Sequence, residues 1–371
     1  MGLLDFVNYD NCITNLTSSI QKHYKLTPNY KTNELIDSLL AEKDYDNIIV
    51  FVFDAMGNSI IDKNTTENHF LQKRRVGKMQ STYPPTTANC TTAYITGLNP
   101  ITTGWLGWST YFKDIDLGVD NFPNANTVTK EIIPGDNIAR SKLPIKDLGE
   151  IIEEETNHEV TYHKVMPSFD PNGCVSLKEF EHRIIKLCNQ NGKKYIYAYW
   201  TEPDSTMHKE GTKNDHVKKI LNQIGKLLHK VERKTKNTIG IISADHSQVD
   251  VVPIALYTYY DFLDCLKAPI SCDSRTPFFF VKDGKEEQFI ELFNKYFADK
   301  FELFTKQQVI DMNLFGYGKE NPLFKEIIGD YVGVAKDKYY FMTIPDYHLF
   351  NGHHAGGLFE ESDIPIIIIK N

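Results

Sequence analysis

The sequence predicts an α/β fold, in which helices flank a doubly wound, mostly parallel sheet. Three runs of apolar, β-branched and aromatic residues, at 47–53, 194–200 and 238–243, are typical of strands buried on both faces of such a sheet. Segments with helical spacing of apolar residues alternate with these runs, which favours parallel strands joined by crossover helices. A fourth apolar run, at 364–369, predicts the last strand of the sheet.

The remaining elements follow from periodicity along the chain. Helices are predicted at 15–24, 32–40, 147–155, 177–189, 216–234 and 285–297, and further strands at 159–165 and 277–281. Residues 114–140 are polar and contain two prolines, so we expect an irregular excursion over the site. Short mixed elements follow Pro253. We therefore expect a single domain over 1–371 with a small α+β insertion, or cap, at 273–346.

Composition narrows the class of protein. The formal net charge of −8 argues against a general nucleic-acid binder, which usually carries a basic surface. No apolar run reaches the roughly 18 residues that a membrane helix needs, and the first residues, MGLLDFVNYDNC, lack the pattern of a signal peptide. Six scattered cysteines fit free thiols in a reducing cytosol. We expect a cytoplasmic protein whose partner is a small molecule rather than nucleic acid or membrane; its oligomeric state is left open.

Residues 84–97, PPTTANCTTAYITG, carry the candidate nucleophile. Two prolines precede about two turns of predicted helix, and Gly97 stands where a helix C-cap is expected. Thr86 or Thr87 would then lie at the helix N-terminus, where free N–H groups and the helix dipole favour an anion or an alkoxide. A hydroxyl needs a base, a lowered pKa or a metal to become a good nucleophile. Taken alone, this stretch is better explained as an ordinary threonine N-cap, and only the carboxylates and histidines elsewhere in the chain favour a nucleophile.

Carboxylate and imidazole side chains follow the three buried runs directly. They are Asp54 after the first run, Asp204 and His208 after the second, and Asp245 and His246 after the third. Ligands of open α/β sheets bind at the carboxyl ends of the strands, so we expect these side chains to converge. The glycine-rich segment GHHAGGL adds His353 or His354. Carboxylate oxygen and imidazole nitrogen are normal zinc ligands, although they suit several other ions.

Three aspartates, three histidines and one threonine hydroxyl divide into two metal sites with open positions. Two metal ions about 4 Å apart can activate a nucleophilic oxygen and hold a leaving-group oxygen during in-line displacement at phosphorus. Such a displacement by threonine gives a covalent phosphothreonine. Aromatic residues near the nucleophile, Trp105 and Trp108 among them, could stack on a ring of the substrate, although aromatics more often belong to the core.

Five motifs follow one another along the chain: FVFDAMG, PPTT with TAYITGLNP, EPDSTMH, SADH and HHAGG. Their order resembles that of the alkaline phosphatase superfamily. Over residues 47–369 the sequence resembles the type I phosphodiesterase/nucleotide pyrophosphatase family. This resemblance implies an alkaline-phosphatase-like fold and a hydrolase of phosphodiester or pyrophosphate bonds in nucleotide-like substrates.

The resemblance also implies two divalent metal ions, most simply Zn²⁺, and assigns their ligands. One ion would be held by Asp54, Asp245 and His246 beside Thr87, and the other by Asp204, His208 and His354. Thr87 is chosen over Thr86 because the family places its nucleophile nine residues before the threonine of TGL, which is Thr96 here. His354 is chosen because it directly precedes the small residues, and His353 is the alternative.

The sequence departs from the family at one position. Many members carry an asparagine three residues after the nucleophile, where it helps to hold a phosphate oxygen, and Cys90 stands there in this chain. Either Asn89 binds the substrate from a shifted position, or backbone N–H groups replace the missing side chain. The alternatives to a diesterase are a phosphomonoesterase on the same site and a non-catalytic protein that binds metal or phosphate.

Overall fold

The computed structural model describes residues 4, 6–345 and 349–371. The helices are α1 (Ile13–His23), α2 (Glu34–Ala41), α3 (Asn58–Asn64), α4 (Phe70–Arg74), α5 (Thr87–Thr96), α6 (Pro100–Thr103), α7 (Ile138–Lys142), α8 (Leu148–Glu155), α9 (Leu177–Cys188), α10 (Asp204–Glu210), α11 (Asp215–Lys234), α12 (Tyr260–Leu263), α13 (Glu286–Phe297), α14 (Lys306–Asp311), α15 (Phe324–Ile327) and α16 (Phe359–Ser362).

The strands are β1 (Asn47–Phe53), β2 (Arg75–Gln80), β3 (Ser109–Phe112), β4 (Leu117–Asp120), β5 (Ala125–Asn126), β6 (Val160–Val165), β7 (Lys193–Trp200), β8 (Thr238–Ser243), β9 (Val249–Asp250), β10 (Val252–Ala255), β11 (Ser271–Cys272), β12 (Pro277–Phe279), β13 (Phe301–Thr305), β14 (Tyr331–Ala335), β15 (Tyr339–Met342), β16 (Gly352–His353) and β17 (Asp363–Lys370).

The central sheet has the strand order β2-β17-β8-β1-β7-β6. Strands β8, β1, β7 and β6 are parallel, whereas β17 runs antiparallel to both β8 and β2. Every residue of β1 and β8 is buried, because their apolar runs are covered on both faces of the sheet. The predicted α/β class with a mostly parallel sheet is confirmed. The edge strand β2 was missed, since only two of its residues are buried and its sequence carries little strand signal.

A second sheet lies beside the first, with the strand order β13-β14-β12-β11-β3-β4-β5. It joins strands near residue 110 to strands from the predicted insertion through the antiparallel pairing of Cys272 with Ser109. The irregular excursion expected at 114–140 is wrong in part, because β4, β5 and α7 are regular. Within this polar segment, β4 pairs with the buried strand β3, which satisfies the backbone groups of β4 that face it.

The division into one domain with an insertion stays a prediction, and Asp346, the end of that insertion, lies outside the described residues. None of the helices in the described part of the chain combines the length and apolarity needed to cross a bilayer. All six cysteines are buried and unpaired.

Candidate active site

The carboxyl ends of three neighbouring strands form the floor of the site. Phe53 pairs with Trp200 in the register of β1 and β7, and Val52 pairs with Ser243 in the register of β1 and β8. The residues that follow these strands therefore lie side by side. The tail segment reaches the same edge because β17 is antiparallel to β8, so the chain enters β17 at the end where the parallel strands finish.

The first group of side chains, called the proximal cluster, consists of Asp54, Thr87, Asp245 and His246. His246 Nε2 lies 3.1 Å from Thr87 Oγ1, 3.4 Å from Asp54 Oδ1 and 3.7 Å from Asp245 Oδ2. The three ligand candidates of this cluster are buried, and their ligand atoms all lie within 4.8 Å of one another. Thr87 alone is partly exposed. The proximal cluster therefore places one accessible hydroxyl beside three buried side chains, two carboxylates and one imidazole, that could bind a metal.

The second group, the distal cluster, consists of Asp204, His208 and His354. Asp204 and His208 lie one helical turn apart on α10, and Asp204 Oδ2 is 3.3 Å from His208 Nε2. Asp204 Oδ1 is 3.9 Å from His354 Nε2. The two clusters adjoin, because the rings of His246 and His354 stack with centroids 3.9 Å apart. The predicted ligands thus converge in two adjacent groups.

Backbone carbonyls hold one nitrogen of each histidine in these clusters. The Nδ1 atoms of His208, His246 and His354 lie 2.9 Å, 3.0 Å and 3.2 Å from the carbonyl oxygens of Gly352, Ser247 and Pro85, respectively. Since a carbonyl only accepts, Nδ1 carries the proton in the neutral form of each ring, and Nε2 then keeps its lone pair. This arrangement is typical of metal-binding histidines, whose outer nitrogen is fixed by a hydrogen bond.

The electrostatics of the site favour a cation. Burial raises the pKa of Asp54 well above its ordinary value, and repulsion by Asp204 and Asp245 raises it further. Burial also raises the pKa of Asp245. For Asp204, burial alone would raise the pKa, but His208, His246 and the hydrogen bond from Gln248 together outweigh burial and the pKa is lowered. A divalent ion between these carboxylates would offset both their repulsion and their desolvation.

Two further observations fit a metal. Asp54 Oδ1 and Asp245 Oδ2 are buried and have no hydrogen-bond donor within the described part of the chain. Burial lowers the pKa of His354 well below its ordinary value, which keeps the ring neutral and able to coordinate. The buried aspartates and histidines could therefore hold divalent metal.

Two orienting side chains were missed from the sequence. The Tyr199 hydroxyl donates to Asp54 Oδ2, which leaves Asp54 Oδ1 facing the cluster. Gln248 Nε2 donates to Asp204 Oδ1. Tyr199 is one of several aromatics in an apolar run, and Gln248 stands two residues after His246, so neither carries a motif that separates it from its neighbours.

Helix α5 begins at Thr87, with Thr86 as its N-cap, and ends at Gly97 in the left-handed region with φ of 68°. The predicted helix and its cap are confirmed. Thr86 is completely buried, whereas Thr87 lies beside His246. The N–H groups of the first turn have no partner within the helix, so they form a set of donors next to the Thr87 hydroxyl.

The three predicted substrate-binding residues occupy different environments. Asn89 is buried and donates to the Pro84 carbonyl at 2.7 Å, which favours the alternative that backbone N–H groups serve the phosphate. Trp105 is 2% exposed and donates to the Leu143 carbonyl, a position that favours a packing role. Trp108 is 40% exposed and remains available to a ligand. The substrate contacts of all three stay predictions.

Asp273 is a buried carboxyl group near the site that the sequence did not single out. Its Oδ2 accepts from the Trp108 N–H at 3.1 Å. Burial raises the pKa of Asp273 from 3.8 to about 7, against the lowering effect of that hydrogen bond. The folded protein therefore binds a proton at this residue between about pH 4 and pH 7, where the unfolded chain has lost it. The contribution of Asp273 to stability is greatest below pH 4 and falls as the pH rises to 7.

We predict that Asp273→Asn removes this pH dependence. The free energy of unfolding of the variant, relative to the natural protein, should rise by up to about 4 kcal/mol between pH 4 and pH 7.5. Denaturant unfolding of metal-free protein at both pH values measures the difference. Asp283→Asn, at a fully exposed side chain, is the control and should show little change. If Asp273→Asn changes the free energy of unfolding by the same amount at both pH values, the prediction is contradicted.

Comparison with known proteins places this chain in a family. The family model described as type I phosphodiesterase/nucleotide pyrophosphatase matches residues 48–356. Among curated proteins no similar sequence was found. The fold is similar to murine ectonucleotide pyrophosphatase/phosphodiesterase 5, with a TM-score of 0.66 and 16% identity over 87% of this chain and 88% of that chain. It is also similar to the human protein of the same name, with a TM-score of 0.67 and 15% identity over 87% of each chain.

An inactive threonine-to-alanine variant of the murine protein, in complex with AMP, matches with a TM-score of 0.64 and 16% identity over 87% of each chain. At this level of identity the solved structures show the fold, and the family match covers most of the sequence. The chain therefore belongs to the type I phosphodiesterase/nucleotide pyrophosphatase family and is a hydrolase of that type.

Proposed function

We propose that the protein hydrolyses phosphodiester or pyrophosphate bonds of nucleotide-like substrates through a covalent phosphothreonine at Thr87. The observation that carries the proposal is the placement of the Thr87 hydroxyl. It is partly exposed, begins helix α5 and lies 3.1 Å from His246 Nε2 within the proximal cluster. A hydroxyl in this setting is suited to attack phosphorus, since the N-terminus of α5 and a cation held by the proximal cluster would favour its anionic form.

We propose two divalent ions, most simply Zn²⁺, as cofactors. Asp54, Asp245 and His246 would hold one ion beside Thr87, and Asp204, His208 and His354 would hold the other. When bound, the ions would lower the pKa of the attacking oxygen and stabilise negative charge on the phosphoryl and leaving-group oxygens. The orphaned carboxylate oxygens and the available Nε2 atoms support this assignment.

The reaction follows from the position of Thr87. The Thr87 hydroxyl gives up its proton to solvent and its Oγ1 forms a bond to phosphorus, while the bond from phosphorus to the leaving oxygen breaks with its electron pair. The leaving group then takes up a proton. Water next attacks the phosphothreonine from the vacated side, which releases the phosphorylated product and restores the threonine hydroxyl. The N–H groups of the first turn of α5 would hold a non-bridging oxygen in both steps.

The substrate class is supported by two observations of different kinds. The fold is similar to a murine phosphodiesterase variant in complex with AMP, which supports a small-molecule phosphate ester. In this chain the half-exposed Trp108 could stack on a base, as the sequence predicts.

We also propose a cytoplasmic location for the protein. The unpaired state of all six cysteines supports it, because thiols stay reduced in the cytoplasm.

The experiment is a comparison of two chromogenic substrates. Protein purified with zinc should release p-nitrophenol from p-nitrophenyl thymidine monophosphate faster than from p-nitrophenyl phosphate. A chelator should remove both activities, and added zinc should restore them. A preference for the monoester would replace the proposal with a phosphomonoesterase on the same site. Bound metal without turnover and without phosphothreonine on rapid quench would identify a non-catalytic binding protein.

A further inference from the structure

His353 is a buried imidazole that the proposed metal sites do not use. Its side chain is buried, with 7% of the residue exposed. Nε2 lies 2.7 Å from the Ser274 hydroxyl oxygen, whereas Nδ1 is buried without a hydrogen-bond partner anywhere in 6–345 or 349–371. A buried polar atom without a partner is costly and is rare in native proteins. The free nitrogen of His353 therefore requires an explanation.

The rings of His208, His353 and His354 lie close to one another. The centroid of His208 lies 5.2 Å from that of His353 and 5.3 Å from that of His354, and His353 and His354 are 5.0 Å apart. Tetrahedral geometry with metal–nitrogen bonds of about 2.0–2.1 Å puts two imidazole centroids roughly 5 Å apart. The three rings thus have the mutual spacing of ligands of a single ion. One ligand atom from each also lies within 4.8 Å of the other two.

Hydrogen bonding leaves one nitrogen of each ring available. Nδ1 of His208 and of His354 is held by a carbonyl, so Nε2 carries the lone pair in these two rings. In His353 the two nitrogens exchange roles, because Nε2 is hydrogen-bonded to the Ser274 hydroxyl and Nδ1 is the atom without a partner in the described residues. When Nε2–H donates to Ser274 Oγ, Nδ1 has a lone pair to offer.

We propose that His353 is an additional ligand of the distal metal ion, through Nδ1. This inference rests on the proposed function, since it adds to the site of Asp204, His208 and His354. The ion would then have three imidazole nitrogens and one carboxylate, with a fifth position for the substrate, a coordination number that zinc reaches during catalysis. A nitrogen-rich set of this kind selects zinc, cobalt, nickel or copper over magnesium and manganese. Ser274 would act as a positioning residue that fixes the His353 tautomer.

Cobalt(II) titration tests the proposal without reference to activity. The Asp54→Asn/Asp245→Asn double variant removes the proximal carboxylates, so the visible absorption of bound cobalt reports the distal cluster alone. In this background His353→Ala should weaken cobalt binding by about 100-fold, the upper end of what losing an outer-shell partner costs. The visible bands should also change in position and intensity. His163→Ala, at a partly exposed histidine of β6, is the matched control and should change neither.

The outcomes separate this inference from the proposed function. If the natural protein binds two ions but His353→Ala leaves the cobalt spectrum and affinity of the double variant unchanged, His353 is not a ligand, and the two-metal proposal stands. If the natural protein binds neither cobalt nor zinc, the proposed two-metal function is contradicted, and the inference about His353 is contradicted with it. Circular dichroism of each variant shows whether it is folded, and Ser274→Ala provides a milder second test. It should weaken binding by about 10-fold while retaining the ring.

Discussion

Replacing Thr87 by alanine is expected to lower kcat/KM for p-nitrophenyl thymidine monophosphate by about 10³-fold or more, since enzymes without their nucleophile keep only the rate that binding and charge stabilisation provide. Metal binding should persist, because the proximal ligands Asp54, Asp245 and His246 remain. Rapid quench of the natural protein should trap phosphate on Thr87, and the variant should carry none. The measurements are steady-state kinetics, metal content and mass spectrometry of quenched protein.

Two matched variants control this experiment. Thr87→Ser keeps the hydroxyl and should keep the covalent intermediate. Thr129→Ala removes an exposed threonine that lies outside the candidate site and should leave kcat/KM and the intermediate unchanged. Thr86→Ala tests the neighbouring hydroxyl, which is completely buried at the N-cap. Loss of the phosphoprotein in Thr86→Ala but not in Thr87→Ala would move the nucleophile by one residue. Activity above a tenth of normal in Thr87→Ala would contradict covalent catalysis by this residue.

The convergence of the aspartates and histidines could be predicted because it depends on features that sequence displays. Buried parallel strands appear as apolar runs, and their carboxyl ends meet at one edge, so Asp54, Asp204 and Asp245 must be neighbours if β1, β7 and β8 are. The position of His354 needed one more fact, the antiparallel direction of β17, which apolarity does not encode. The resemblance to a family supplied the assignment of His354 instead.

The rest of the site depends on contacts that no local pattern records. Tyr199 and Tyr197 occupy the same apolar run, yet only Tyr199 donates to Asp54, because strand register places it there. Trp105 and Trp108 are three residues apart, and one is buried while the other is exposed. Such differences are fixed by tertiary packing, so a sequence that predicts aromatic residues near the nucleophile does not decide which ring is free.

The same limit applies to the link between the second sheet and the tail. Ser274, Arg275 and Thr276 are consecutive, and each contacts the segment that carries His353 and His354. Ser274 meets His353 Nε2, and the Thr276 hydroxyl donates to the Ala355 carbonyl. Arg275 forms a fully buried ion pair with Glu361. The predicted insertion is therefore attached directly to the loop that supplies the distal ligands.

Every side-chain nitrogen and oxygen of the Arg275–Glu361 pair takes part in a hydrogen bond. Arg275 Nε and Nη2 donate to the two oxygens of Glu361 at 2.8 Å and 2.7 Å, and Nη1 donates to the carbonyls of Asp337 and Tyr339. Glu361 also accepts from the Gly356 N–H at 2.8 Å. A Cβ at Gly356 would lie 2.5 Å from Arg275 Nη2, so the small residue after the histidines makes room for the guanidinium.

We predict that Arg275→Ala lowers the free energy of unfolding by about 3–5 kcal/mol, because it leaves Glu361 charged, buried and unpaired. Denaturant unfolding measures this loss. Lys370→Ala, which breaks a half-exposed ion pair with Glu42, should cost at most about 1 kcal/mol and is the control. The double variant Arg275→Met/Glu361→Leu should be less destabilised than the sum of its single variants, since removing both charges leaves no unpaired ion. If the ion pair also positions the segment that carries His353 and His354, Arg275→Ala should weaken metal binding at the distal cluster under conditions where the variant is still folded. If the affinity of the distal cluster for metal is unchanged, the ion pair contributes to stability alone.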